Sequence, residues 1–250
     1  MSHPQLRRSA ALFSLTLAAA GCSDSTGSTE AGAISFNVAT KPAAGLVGAA
    51  VVGEETLTDG TNTIVISSAQ LVLREIELER QGVDDCETAT GDDDCEELEL
   101  GPIALDLPLG AGGAVRNFTV DVAPGTYDEI EFEIHKPESS DDAAFIAAHP
   151  ELDGASIRIV GTYNGTAFTF TSELDVEQEF DLVPPLVVSE STGAELTLLA
   201  DLDSWFRGEG GTLVDPATAN KGEPNEGVVK ENIEQNLHAF EDDDHDGIDD

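Results

Sequence analysis

The nine residues Asp242-Asp243-Asp244-His245-Asp246-Gly247-Ile248-Asp249-Asp250 set oxygen donors at intervals that suit one hard cation. Counted from Asp242, carboxylates fall at the first, third and fifth positions and Gly247 at the sixth, where a loop must turn sharply. The Ile248 carbonyl takes the seventh position and Asp250 the ninth. A flexible carboxylate loop of this kind favours calcium over magnesium, which demands shorter and more regular coordination. The sequence given ends before a twelfth-position Glu, so the expected affinity is weak, on the order of 10⁻⁴ to 10⁻³ M. A solvated acidic tail is the alternative.

The other candidate ligands are scattered. After the leader described below is removed, the histidines are His135, His149, His238 and His245, and no two stand at the spacing of a zinc motif. His135 follows Glu131 and Glu133 on the outward side of an alternating segment. A surface histidine among carboxylates and a Glu-His metal site both fit that pattern. Asp92-Asp93-Asp94 reads as a solvated turn before it reads as a second cation site. No Gly-x-Ser-x-Gly elbow is present, and Gly110 to Gly113 lacks the Lys of a phosphate loop. Trp205 and Phe206 read as a core plug, with sugar stacking as the alternative.

At the other end, Arg7 and Arg8 precede an apolar run from Ala10 to Ala20 that closes in Ala19-Ala20-Gly21-Cys22-Ser23. A basic start, a short uncharged run and small residues before a cut mark a secretory leader. The segment resembles the lipobox of bacterial lipoproteins, with Ala19 where Leu is favoured. That resemblance implies diacylglycerylation of Cys22, removal of Met1 to Gly21 and acylation of the new amino terminus. Two or three acyl chains anchor a protein stably, whereas one binds marginally. Secretion after an Ala-x-Ala cut, with Cys22 incidental, is the competing reading.

The chain has 250 residues, of which 229 remain after the leader, enough for one sizeable core. Against 50 Asp and Glu stand 11 Lys and Arg, two of them in the leader, so the mature charge is near −41. Repulsion excludes nucleic acid and anionic lipid surfaces as partners. The acidity reads first as a solubilising, salt-adapted surface, ahead of cation binding or attraction to basic partners. With Cys22 assigned to lipid, Cys86 and Cys95 remain as a pair in an oxidising compartment, where a disulfide would staple the polar loop between them.

Strand patterns dominate what must position these groups. Candidate strands are Ile34 to Thr40, Thr63 to Ser67, Ala69 to Arg80, Ile103 to Leu107, Val115 to Val122 and Tyr127 to His135. Ser156 to Tyr163, Ala167 to Leu174, Val176 to Leu182 and Ala194 to Leu202 follow. Ile76 and Leu78 alternate with Glu75, Glu77 and Glu79, and Ile130, Phe132 and Ile134 alternate with Glu129, Glu131 and Glu133. Period two with one apolar side means half-buried antiparallel strands. Asn164-Gly165, able to take positive φ at both positions, predicts a tight hairpin. Helices are expected at Asp141 to Ala148 and at Glu226 to Phe240, the latter leading into the acidic loop.

Leu105-Asp106-Leu107, then Ala123-Pro124-Gly125-Thr126-Tyr127 running into Glu129-Ile130-Glu131-Phe132, and later Leu199-Ala200-Asp201-Leu202, resemble a family of bacterial lipoproteins carrying a domain of unknown function. The resemblance spans roughly Thr61 to Trp205. It implies a sandwich related to transthyretin-like and Ig-like folds, and it supplies no catalytic or binding residues.

The expected organisation is a signal peptide (1–21), a flexible tether (22–32), a β-sandwich (33–207) and an irregular extension with a short helix and a calcium-loop-like tail (208–250). The fold class is mainly β, an antiparallel sandwich with one or two short helices. The expected function is a non-enzymatic structural or binding module, held by a membrane through its lipid anchor outside the cytoplasm, on the outer membrane if the source has one. Its partners would be an envelope protein or glycan. A metal-assisted hydrolase using His135 or His149 and a carbohydrate-binding adhesin using Trp205 and Tyr163 are the alternatives.

Overall fold

The computed structural model describes residues 31–41, 53–82, 95–110, 114–190 and 193–242, with the side chains of 95–100 outside that description. Eleven strands and three short α-helices alternate along it. In chain order they are β1 (Gly32–Thr40), β2 (Glu55–Thr58), β3 (Thr63–Arg80), β4 (Cys95–Asp106), β5 (Val115–Val122), β6 (Gly125–Ile134), α1 (Ala143–Ala148), β7 (Ile157–Tyr163), β8 (Thr166–Ser172), β9 (Val176–Val188), β10 (Ala194–Ala200), α2 (Leu202–Trp205), α3 (Glu226–Gln235) and β11 (Leu237–Glu241). None of these helices is long and apolar enough to cross a membrane.

The strands form a four-stranded sheet, β11-β10-β1-β5, packed on a seven-stranded sheet ordered β8-β7-β3-β6-β9, with β2 and β4 also on β3. The sandwich expected from the alternation is therefore present. The larger sheet is antiparallel throughout, but β1 and β10 run parallel, which makes the smaller sheet mixed.

Strand β3 organises the larger sheet. It is one 18-residue strand where the sequence predicts two, because the polar break at Ser67-Ser68 is absorbed by a bulge between Ile66 and Ser68. A bulge adds a residue and bends the strand without ending it. The first half of β3 pairs with β2 and β7 and the second half with β4 and β6. A second bulge, between Leu73 and Glu75, appears in the ladders to both β4 and β6 and sets Arg74 apart from them.

Between the sheets lie the apolar members of the alternating strands. Leu71, Leu73, Ile76, Leu78, Ile130, Phe132 and Ile134 are all buried. At roughly 1.5–3 kcal/mol for each large side chain taken from water, this face fixes the register. The ring of Phe36 meets Phe132 edge-on at 6.4 Å, joining the two sheets. Tyr127 is wholly buried, and its hydroxyl donates to the Ala123 carbonyl at 2.7 Å, tying β6 back to the turn before it. The Pro-Gly-Thr-Tyr stretch thus serves a structural purpose. Asn164 at φ 49° and Gly165 at φ 81° form the expected hairpin between β7 and β8.

Other expectations change, and β4 and β9 run longer than predicted, over Cys95–Asp106 and Val176–Val188. Helix α3 stops at Gln235 instead of reaching Phe240, since Leu237, Ala239 and Phe240 pair as β11 with β10. A strand consequently leads toward the acidic tail. The strand expected to run to Leu202 ends at Ala200, where Asp201 accepts the Ser204 N–H and caps α2. Short β2 has too few residues to show a period and was not expected. Trp205 and Phe206 are fully buried, Phe206 lying edge-on to Phe170 at 5.3 Å, so neither offers a platform for sugar. Val229 and Ile233 of α3 and Leu237 of β11 join the same core.

Candidate metal centre

Strands β6 and β9 end together. Their last paired residues are Ile134 and Val176, preceded by Glu133 opposite Glu177. His135 and Asp175, one step beyond the last pair, consequently face each other. Period two places Glu133 and His135 on one side of β6, away from the core that takes Ile134. Glu133, from β6, and His135 and Asp175, one residue beyond β6 and β9, thereby meet at one corner of the sheet.

The distances follow from that register. His135 Nδ1 lies 3.0 Å from Asp175 Oδ1 and 3.7 Å from Glu133 Oε1. One donor atom from each of the three residues lies within 4.8 Å of the others, so Glu133, His135 and Asp175 could hold a single ion. The other ring nitrogen, Nε2, faces Glu138 Oε1 at 3.5 Å. His135 and Glu133 are half-buried, whereas Asp175 is open to solvent.

The loop that carries Glu138 is fixed from below. Asp142 is buried, and its Oδ2 accepts the Glu138 N–H at 2.6 Å and Arg74 Nη1 at 2.9 Å. Arg74 is the residue set apart by the second bulge of β3, and that displacement frees its side chain for Asp142. Burial pushes the Asp142 carboxyl up, but the Glu138 N–H and Arg74 outweigh it, and the carboxyl sits below its ordinary range. Lys136, between the two ends of the site, turns away to Glu173 at 3.1 Å, which also accepts Lys221 at 2.8 Å. Hydrogen bonds from Lys221 and Lys136 hold the Glu173 carboxyl down at about 2.

The triad stands at the edge of a wider acidic face. Across β3, β6 and β9 the register aligns Glu75-Glu133-Glu177, Glu77-Glu131-Glu179 and Glu79-Glu129-Asp181 in three rows. Like charges directly opposite one another destabilise a sheet. Glu129, in the middle of the last row, shows the strain: burial, then Glu179 and Glu79, push its carboxyl up to about 7.

The remaining sequence candidates are spread elsewhere. His149 stacks near the Phe145 ring and has Glu151 as its carboxylate neighbour at 3.6 Å. His238 lies in β11 opposite Leu199. Asp242 is buried, and its Oδ2 accepts the Thr197 hydroxyl at 2.9 Å. Asp244, Asp246, Ile248 and Asp250 lie outside the described residues, as do Cys22, Cys86 and the Asp92-Asp93-Asp94 cluster, while Cys95 opens β4. The sequence singled out Glu131, Glu133 and His135 but missed Asp175 and Glu138. The first needs the pairing of β6 with β9, and the second needs the path of a loop. Comparison with protein-family models, with curated proteins and with solved structures finds no match to this chain.

Proposed function

We propose that this chain is a lipid-anchored, non-enzymatic binding module of the cell envelope, a sandwich that carries a divalent cation on its acidic face. The observation that carries the cation reading is the meeting of Glu133, His135 and Asp175 at the open end of the β6–β9 ladder. The anchor and location rest on the Arg7-to-Cys22 leader. Of the two histidines that a metal-assisted hydrolase would use, His135 lies in the triad, whereas His149 keeps its own carboxylate neighbour, Glu151, outside it.

A second, weak calcium site belongs to the same proposal, with ligands from Asp242, Asp244, Asp246, the Ile248 carbonyl and Asp250. Of these ligands only Asp242 lies within the described residues, where it is buried and its Oδ2 accepts the Thr197 hydroxyl. The test uses full-length protein expressed with its leader. Wild type is expected in the membrane fraction with acyl label and Cys22→Ala without it. At physiological ionic strength, calcium uptake is expected to fall in Asp244→Ala with Asp246→Ala and zinc uptake in His135→Gln. Normal acyl labelling of Cys22→Ala overturns the anchor. Uptake of both ions unchanged in all these variants reduces the cations to a counterion cloud and overturns the binding reading.

A further inference from the structure

We propose that the site at Glu133, His135 and Asp175 is selective for a zinc-class transition ion, ligated by His135 through Nδ1, with Glu138 as the positioning residue for the imidazole. This rests on the cation reading above and narrows it to one metal class and one set of atoms.

Donor chemistry sets the metal class. Calcium and magnesium take oxygen donors, whereas imidazole suits zinc and its neighbours. A nitrogen between two carboxylates therefore discriminates against the hard ions that the rest of this acidic surface would attract. The mature charge near −41 makes that discrimination necessary, because weak uptake of calcium is available at many carboxylates.

Donor spacing suits the same class of ion. Four-coordinate zinc with bonds of about 2.0–2.2 Å holds neighbouring donors roughly 3.4 Å apart. The Nδ1 to carboxylate distances of 3.0 and 3.7 Å lie on either side of that value. An ion at Nδ1 would replace the proton of the hydrogen bond between His135 Nδ1 and Asp175 Oδ1, with the backbone held by the Ile134–Val176 pair.

The far side of the imidazole ring also faces a carboxylate. A metal-bound histidine usually gives its other N–H to a carboxylate, which fixes the tautomer and ring orientation. Glu138 Oε1 stands 3.5 Å from Nε2. Its own backbone is pinned by Asp142, which is in turn held by Arg74. A carboxylate, an imidazole and two further carboxylates thus follow one another across the corner. Three protein ligands leave a fourth position for water or for a donor group on a binding partner.

The experiment uses full-length mature protein in detergent, without a histidine tag, stripped with chelator and titrated with zinc or cobalt in millimolar calcium. One zinc per chain is expected, with micromolar or tighter affinity that calcium does not displace. His135→Gln is expected to weaken zinc at least 100-fold and Glu138→Gln by roughly 10–100-fold. Glu138→Asp should recover part of that loss, and circular dichroism should show every variant folded. The cobalt spectrum should lack a thiolate band, which separates this site from Cys86 and Cys95. Equal zinc affinity in His135→Gln overturns the site, and unchanged affinity in Glu138→Gln overturns the positioning role. If calcium competes on equal terms and its binding is lost in Asp175→Asn, the zinc selectivity falls while the cation module stands. If no ion binds, both fall.

Discussion

Replacing Glu129 by Gln should stabilise the protein at pH 8 and have little effect at pH 4. Glu129 sits between Glu79 on β3 and Asp181 on β9, with Glu179 one row away. Its carboxyl is raised from 4.5 to about 7 by burial, by Glu179 and Glu79, and by a hydrogen bond to Glu79 that favours the proton. A folded value above the unfolded one means that the native state binds the proton more tightly. Stability therefore falls as pH rises from about 4.5 to about 7, and the loss is complete above 7. At ~1.4 kcal/mol per pH unit the shift sets a ceiling of ~3 kcal/mol. Partial exposure screens the carboxylates, so about 1 kcal/mol is the working expectation. The Gln amide keeps a donor for Glu79 and removes the charge. Urea unfolding of wild type and Glu129→Gln at pH 4, 6 and 8, at fixed ionic strength, reads the difference directly. A stability difference that does not grow between pH 4 and pH 8, or one that favours wild type at pH 8, refutes the reasoning.

Tyr127→Phe should lower stability by about 1 kcal/mol by removing the donor to the Ala123 carbonyl, and equal urea midpoints would contradict this. Gly161→Ala should be far more disruptive, because its Cβ would meet the Val65 carbonyl oxygen at 2.1 Å, backbone against backbone. A loss of about 3 kcal/mol or more is expected from that overpacking, and a variant as stable as wild type would show that the two strands separate freely. Cys86 and Cys95 should be bridged in protein isolated without reductant, which intact mass before and after alkylation will show; free thiols would remove the staple.

The sandwich was legible because its signal is local. Ile76, Leu78, Ile130, Phe132 and Ile134 alternate with glutamates, and only a half-buried strand satisfies that period. Asn164-Gly165 announced its hairpin for the same reason. Non-local facts were less accessible. Pairing β1 in parallel with β10 joins residues some 160 positions apart, and nothing in either strand states the direction. The apolar spacing of Val229, Ile233, Leu237 and Phe240 fits a helix, but β10 had an open edge and drew the last two into a strand. Of the metal centre, Glu133 and His135 were visible as neighbours at i and i+2. Asp175 entered only through the β6–β9 register, and Glu138 through a loop whose shape depends on Arg74, displaced by a bulge in another strand.

The most direct test of the central claim is anomalous diffraction at the zinc edge from crystals of the protein soaked in zinc with calcium present. A single strong peak is expected about 2.1 Å from His135 Nδ1, with Glu133 and Asp175 as its carboxylate ligands. No peak at that corner, or zinc found only along the glutamate rows and the acidic tail, would contradict it.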